Sequence, residues 1–295
     1  MTQVPGDGGG HTRAGMRSRN PGRRQESVAA GLRSGQVRVT GSSQGGFAVA
    51  LEGCAGRAAF QIGVLDWLER RGIRPGAVAG ASAGSIVAAA VAFGRLGELE
   101  DIWLGVAGSR VIRPERIFRL GWPLAMSDIV GNAMSRAFPG RMLTDALLPV
   151  SIPVTHCRPR LTRRFLTRLD PVDVTEAVLA SCFVPGPYHR VIRIDGRPAF
   201  DGAWLLRTPV DAAENGQPVL AVVSNPEGHL KAGFFRPATR AWPAGCRVLH
   251  PNRPLPVGPY DTDLERMRST IAEGRRSAAA FARREERWLA DLSRP

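Results

Sequence analysis

Lysine is almost absent from this chain. Lys231 is its only one in 295 residues, so arginine carries the formal net charge of +14. A preference for arginine over lysine is partly an effect of genome composition, so the charge alone assigns no partner. No basic-plus-aromatic module of the nucleic-acid-binding kind accompanies it, which sets specific nucleic-acid recognition aside. If the chemistry concerns lipids, an anionic membrane surface is the more natural partner.

Cysteine is scarce and scattered. Cys54, Cys157, Cys182 and Cys246 form no CxxC pair, which excludes the common zinc and dithiol redox motifs and points to reduced thiols in a cytoplasmic protein. No metal and no cofactor is called for. Long hydrophobic runs are also missing, so no segment is expected to span a bilayer. Met1 to Gly10 is Gly-rich and polar, without the apolar stretch of a secretory signal. The expected location is the cytoplasm, with at most peripheral contact with a membrane.

The remaining composition suits a folded enzyme or binding protein. Apolar residues make up 43% and charged residues 22%, enough for a sizeable core. Residues 1–45 stand apart: seven arginines face only Asp7 and Glu26, with no aliphatic runs. They read as a disordered basic tail. Residues 46–295 read as the folded domain.

Within that domain, short buried strands are expected at Phe47-Ala48-Val49-Ala50-Leu51 and Ala77-Val78-Ala79. Each is followed by a helical pattern: Phe60 to Leu68, stopped at Gly72, and Ile86 to Phe93. Alternation of strand and helix indicates a mainly parallel α/β sheet. An apolar but irregular stretch, 96–148, reads as helical cover over a site. Further strands are expected at 152–154, 164–166, 219–223 and 247–249, and a helix at 172–182. A hairpin is expected to turn at Asp195-Gly196. The apolar spacing from Leu264 to Leu292 predicts one long amphipathic C-terminal helix. Trp122, Phe234 and Phe235 are read either as membrane contacts or as core.

Three short segments carry chemistry. Gly80-Ala81-Ser82-Ala83-Gly84 is a G-x-S-x-G pentapeptide between a strand and a helix, the context of a nucleophile elbow. Ser82 is its candidate nucleophile. Among 34 glycines such a match arises by chance as well, so its flanks add weight to it. Glu52-Gly53-Cys54-Ala55-Gly56-Arg57 is a small-residue loop between the first strand and the first helix. Its backbone N–H groups can form an oxyanion hole, or it is an ordinary βα turn. Asp201-Gly202-Ala203 ends a strand, with a carboxylate that is either catalytic or simply a turn former.

Taken together, these blocks resemble the patatin-like phospholipase family, from about Phe47 to Asn225 with weaker support to about Ser277. LEGCAGRAAFQIGVLDWL is similar to the family's oxyanion segment and helix, and VAGASAGS to its elbow. AVLASCFVPG is similar to its helix and Pro-Gly turn, and IDGRPAFDGAWLLRTPV to its hairpin ending in D-G-[GA]. The resemblance implies a three-layer α/β/α fold and cleavage of lipid acyl esters by a Ser–Asp dyad without histidine. By motif match it makes Ser82 the nucleophile, Asp201 the base, and Gly53, Cys54, Ala55, Gly56 and Arg57 the oxyanion segment. The implied partner is a lipid at a membrane surface, anionic phospholipid among them.

The chain departs from the family pattern where three successive glycines are usual and Gly53-Cys54-Ala55 stands instead. A side chain there disfavours positive φ. Ala58 replaces another glycine, and Leu205-Leu206-Arg207 replaces an Asn-rich stretch. Two alternatives stay open. One is an ordinary Ser-Asp-His hydrolase, for which His229 and His250 follow Asp201 in the required order while His156 and His189 do not. The other is a non-catalytic or narrowly specific lipid-binding protein on the same fold. Oligomeric state is not legible.

Overall fold

The computed structural model describes residues 46–119, 122–213, 216–233 and 236–292. The expected basic tail, and Phe234 and Phe235, lie outside the described residues.

The strands are β1 (Ala48–Leu51), β2 (Ala77–Gly80), β3 (Val150–His156), β4 (Thr162–Thr167), β5 (Arg193–Ile194), β6 (Arg197–Pro198), β7 (Phe200–Asp201), β8 (Val219–Val222), β9 (Leu230–Gly233), β10 (Arg236–Arg240) and β11 (Cys246–Leu249). The main sheet has the order β11-β8-β1-β2-β3-β4, with β7 also paired to β3. From β11 to β3 every pairing is parallel. The pairings β3–β4 and β3–β7 are antiparallel. Both faces of β1, β2 and β8 are buried, as a covered parallel sheet requires.

The helices are α1 (Ala58–Glu69), α2 (Ala83–Ala92), α3 (Leu96–Leu104), α4 (Met126–Ala137), α5 (Val174–Cys182), α6 (Val210–Ala213), α7 (Leu264–Arg284) and α8 (Glu286–Leu292). Side chains alternate between sheet faces, and the residues of β1 alternate in size. Phe47, Val49 and Leu51 enter the larger core with α1, α2, α4, α5 and α7. Ala48 and Ala50 enter a smaller one with Val210, Ala213, Leu230 and Trp242. The architecture is therefore three-layered with unequal outer layers: one of long helices, the other of short α6 and the β9–β10 hairpin.

Local chemistry sets the helix boundaries. The Asp173 and Asp263 side chains accept the N–H groups of Glu176 and Arg266 and so cap α5 and α7. The single C-terminal helix expected from spacing is two helices, broken at Glu285 (φ −111°, ψ 30°). The 96–148 cover comprises α3, α4 and 3₁₀ turns at Pro114–Arg119 and Leu143–Asp145. The β9–β10 hairpin was not expected. The Asp195-Gly196 turn joins β5 to β6 with both residues at positive φ. Among the described residues, no helix is long and apolar enough to cross a membrane.

Candidate active site

β1 and β2 are parallel neighbours, with Leu51 opposite Gly80. Their following loops, carrying Gly53–Arg57 and Ser82, therefore emerge side by side. Ser82 is half-buried at φ 49°, ψ −129°, a strained backbone conformation of the kind found at nucleophile elbows. Gly84 lets α2 start close to β1, because a Cβ there would meet the carbonyl oxygens of Leu51 and Glu52 at 2.8 Å.

Asp201 arrives on β7, paired to β3. Strand β2 pairs only with Val150 and Ser151 of β3, whereas β7 pairs with Val154 and Thr155. Strand β4 occupies the opposite edge from Ser151 to His156. So β7 fills the lane that β2 vacates and sets Asp201 beside Ser82. Ser82 Oγ donates to Asp201 Oδ2 at 2.7 Å, and Oδ1 accepts the Ala203 N–H at 2.7 Å. Burial lifts the Asp201 carboxyl from 3.8 to about 7, although the Ser82 hydroxyl, the Ala203 N–H and Arg207 pull it back.

Two serines that sequence reasoning missed hold the Ser82 backbone. Its N–H donates to Ser181 Oγ at 3.0 Å, and Ser181 Oγ donates to Pro153 O at 2.7 Å. Ser85 Oγ donates to Ser82 O at 2.5 Å. Ser181 sits in the quoted block AVLASCFVPG, but nothing local marks it.

The loop after β1 divides its donors. The Gly53 N–H goes to Arg207 O at 2.8 Å, the Gly56 N–H to Pro259 O at 2.8 Å and the Arg57 N–H to Cys54 O at 3.2 Å. Among the described residues, no protein acceptor takes the N–H groups of Cys54, Ala55 and Ala83. Cys54 keeps an ordinary φ of −141°, while Ala55 adopts φ 52°. The positive φ that glycine normally supplies is thus taken up by alanine. Gly53 cannot carry a side chain, because its Cβ would lie 2.6 Å from that of Ala203.

Glu52 and Arg207 support this loop. Glu52 is fully buried; its Oε1 lies 2.7 Å from Arg207 Nε, and Oε2 accepts both the N–H and the hydroxyl of Ser224. Arg207, which reads only as a departure in the sequence, thus holds the loop through its carbonyl and the end of β1 through its side chain.

Ser82 and Asp201 open on a cavity of about 370 Å³. Ile102, Trp103, Val106, Ile129 and Met134 from the α3–α4 cover form an apolar wall, as the cover reading expected, and Tyr260, Thr262 and Met267 of the C-terminal region close it. Burial raises the Cys182 thiol and the Tyr188 phenol, which also line it. No histidine lines the cavity among the described residues. His229 is exposed, His250 Nδ1 lies 3.1 Å from Pro251 O, and His156 is buried in β3 against Pro198 O. The described residues hold no metal-binding group of three or more His, Cys, Asp or Glu.

Comparison with known proteins adds three findings. No curated protein matches the chain. Among solved structures, VipD from Legionella pneumophila aligns at TM-score 0.47 and 12% identity, over 83% of this chain and 67% of its own. The type III effector protein ExoU aligns at TM-score 0.42 and 16% identity, over 81% of this chain and 53% of its own. The family described as Patatin-like phospholipase matches residues 49–214. With more than half of its length matched, this chain belongs to the patatin-like phospholipase family.

Proposed function

We propose that the protein is a lipid acyl hydrolase working through a Ser82–Asp201 dyad and an acyl-enzyme. The observation that carries the reading is the 2.7 Å hydrogen bond from Ser82 Oγ to a carboxyl whose affinity for protons is raised to about 7. At its ordinary value of about 3.9 a carboxylate is a weak base at neutral pH. At about 7 it matches the task.

Asp201 Oδ2 takes the hydroxyl proton as Oγ attacks the ester carbonyl carbon. The N–H groups of Cys54, Ala55 and Ala83, which have no acceptor among the described residues, are the donors for the oxyanion. Gly53, Gly56 and Arg57 belong to the oxyanion segment but spend their N–H groups on shaping it. One such donor is typically worth about 10²–10³ in rate. Protonated Asp201 returns its proton to the leaving alkoxide as the C–O bond breaks. Water, deprotonated by the same carboxylate, then releases the acid and restores the serine. The apolar wall around the cavity suits an acyl chain.

Residues 46–295 constitute the hydrolase domain in this reading, in a cytoplasmic protein acting at a membrane surface. A fluorophosphonate probe with Ser82→Ala as control tests it, beside product analysis on a panel of lipid esters. Probe labelling and ester cleavage that both vanish with Ser82→Ala are expected. Undiminished cleavage by Ser82→Ala would overturn the reading, and an unlabelled native protein would favour a lipid-binding role.

A further inference from the structure

The segment between α3 and α4 is exposed, apolar and basic at once. Its two arms run antiparallel: Ile112 bridges Leu124, the Arg113 N–H donates to Pro123 O at 2.7 Å, and the Ala125 N–H donates to Val111 O at 2.9 Å. Ile112 is 65% exposed, Ile117 58% and Trp122 49%. The Trp122 indole N–H is tied to Gly186 O at 2.6 Å, so its exposure belongs to the fold. Single exposed apolar residues are ordinary, but three large ones between 112 and 122 concentrate the kind of surface that marks an interaction site.

Charge surrounds this patch. Among the described side chains of the stretch 110–124 are Arg110, Arg113 and Arg116 against Glu115. Arg116 pairs with Asp128 at 2.7 Å. Among the described residues, no carboxylate pairs with Arg110 or Arg113. A second cavity opens beside the hairpin; its polar lining is Arg113, Arg136, Asn132, Ser109 and one carboxylate, Asp101, so the two arginines outnumber the single acid. Its apolar floor of Ile102, Val106, Ile129 and Ala133 also lines the cavity holding Ser82 and Asp201. The two spaces are neighbours that share these four side chains.

We propose that the hairpin and the arginine-lined vestibule beside it dock on an anionic lipid surface. Ile112, Ile117 and Trp122 enter the boundary between headgroups and acyl chains, while Arg113 and Arg136 meet lipid phosphates. This composition, aliphatic and tryptophan side chains among arginines, suits an anionic interface. A second copy of the chain fits badly, because a two-fold contact would set arginine against arginine. The proposal deepens the hydrolase reading, since docking here sets the Ser82 cavity behind the vestibule, against its lipid.

Binding is tested without turnover, in full-length Ser82→Ala protein, by flotation with vesicles of phosphatidylcholine alone or mixed with phosphatidylglycerol. The mixed vesicles should bind more tightly. Arg113→Gln/Arg136→Gln should weaken that binding roughly 30-fold, at about 1 kcal/mol per arginine. Ile112→Asp/Ile117→Asp should weaken it at least about tenfold. Arg283→Gln/Arg287→Gln, one on each side of the break between α7 and α8, serves as control, Arg283 lying about 24 Å along α7 from Met267, and should change little.

Equal losses in both arginine pairs, undiminished binding by the aspartate variant, or equal affinity for the two vesicle types would overturn the proposal. So would a face variant that changes oligomeric state on a sizing column in place of vesicle binding. The aspartate variant's fold is checked by its melting curve. If Ser82-intact protein cleaves no ester while the binding pattern holds, the hydrolase reading fails and the docking face stands.

Discussion

Ser82 Oγ and Asp201 Oδ2 lie 2.7 Å apart although 119 positions separate the two residues in sequence. The contact exists because β7 continues along β3 where β2 stops. Replacing the proposed base, Asp201, while keeping its shape isolates its role. Asp201→Asn keeps an oxygen for the Ala203 N–H and an amide beside Ser82, but it takes no proton. Its kcat on a lipid ester should fall by about 10²–10⁴, with KM little changed. Wild-type turnover by this variant would sink the dyad.

Asp201 also predicts two opposite responses to pH. In the proposed mechanism catalysis needs the carboxylate, so kcat/KM should rise through about pH 7 and then level. Stability runs the other way. The folded carboxyl titrates near 7 and the unfolded one near about 3.9. Below pH 4 both forms are protonated and the stabilising contribution is complete. Between about pH 4 and 7 the folded state keeps a proton that the unfolded state has lost, so stability falls as pH rises. Asp201→Asn lacks this component. Its Tm relative to wild type should climb from pH 4 to 7 and flatten above, as read by thermal melts across pH. A constant difference would contradict the raised affinity.

Much of this arrangement is legible in short stretches. Phe47-Ala48-Val49-Ala50-Leu51 reads as a buried strand, and the structure sets its bulky residues in the larger core and its alanines in the smaller one. The turn at Asp195-Gly196 and the elbow at Ser82 are likewise local chemistry. What escapes is whatever depends on distant partners. Ser181 is one serine among many until β3 brings Pro153 O beneath it. Arg207 reads as a departure until Glu52 lies opposite it. Tyr260 and Thr262 lie well past the last motif, yet they wall the cavity. The break at Glu285 hides because apolar spacing continues across it.

Ser181→Ala tests the support beneath Ser82. The substitution leaves the Ser82 N–H and Pro153 O without their shared partner at a fully buried position. An unsatisfied buried polar group costs about 1–3 kcal/mol, so a lower Tm is expected. Because Ser82 holds a strained φ of 49°, loosening its N–H should also lower kcat while KM stays near wild type. A variant with native stability and native kcat would show that the strain is held elsewhere.

Ala55 at φ 52° gives a contrast between two substitutions. An L-residue in this region carries roughly 1–2 kcal/mol of strain. Ala55→Gly removes it but loosens the unfolded chain by about 0.4–1 kcal/mol. Stability should therefore rise by between about 0 and 1.6 kcal/mol, and activity should persist. Ala55→Val places a β-branched side chain where it fits worst. That variant should lose both stability and turnover, as measured by chemical denaturation and ester hydrolysis. Full activity in Ala55→Val would remove Ala55 from the oxyanion segment.

The Glu52–Arg207 pair gives the most demanding prediction, because its two ends are unequally buried. Glu52 is fully buried, whereas the Arg207 side chain keeps 16% of its surface exposed. Arg207→Met strands a buried carboxylate with only Ser224 as partner, a loss of about 3–5 kcal/mol by analogy with other broken buried pairs. Glu52→Gln preserves acceptor capacity toward Ser224 and leaves an arginine that water can reach, so it should cost less. The double variant should be more stable than the sum of the single losses predicts, with a coupling above about 1 kcal/mol. Catalysis supplies an independent readout. Arg207 lowers the proton affinity of Asp201, so Arg207→Met should move the acid limb of kcat/KM to higher pH. A limb that stays in place while stability falls would confine Arg207 to holding the loop.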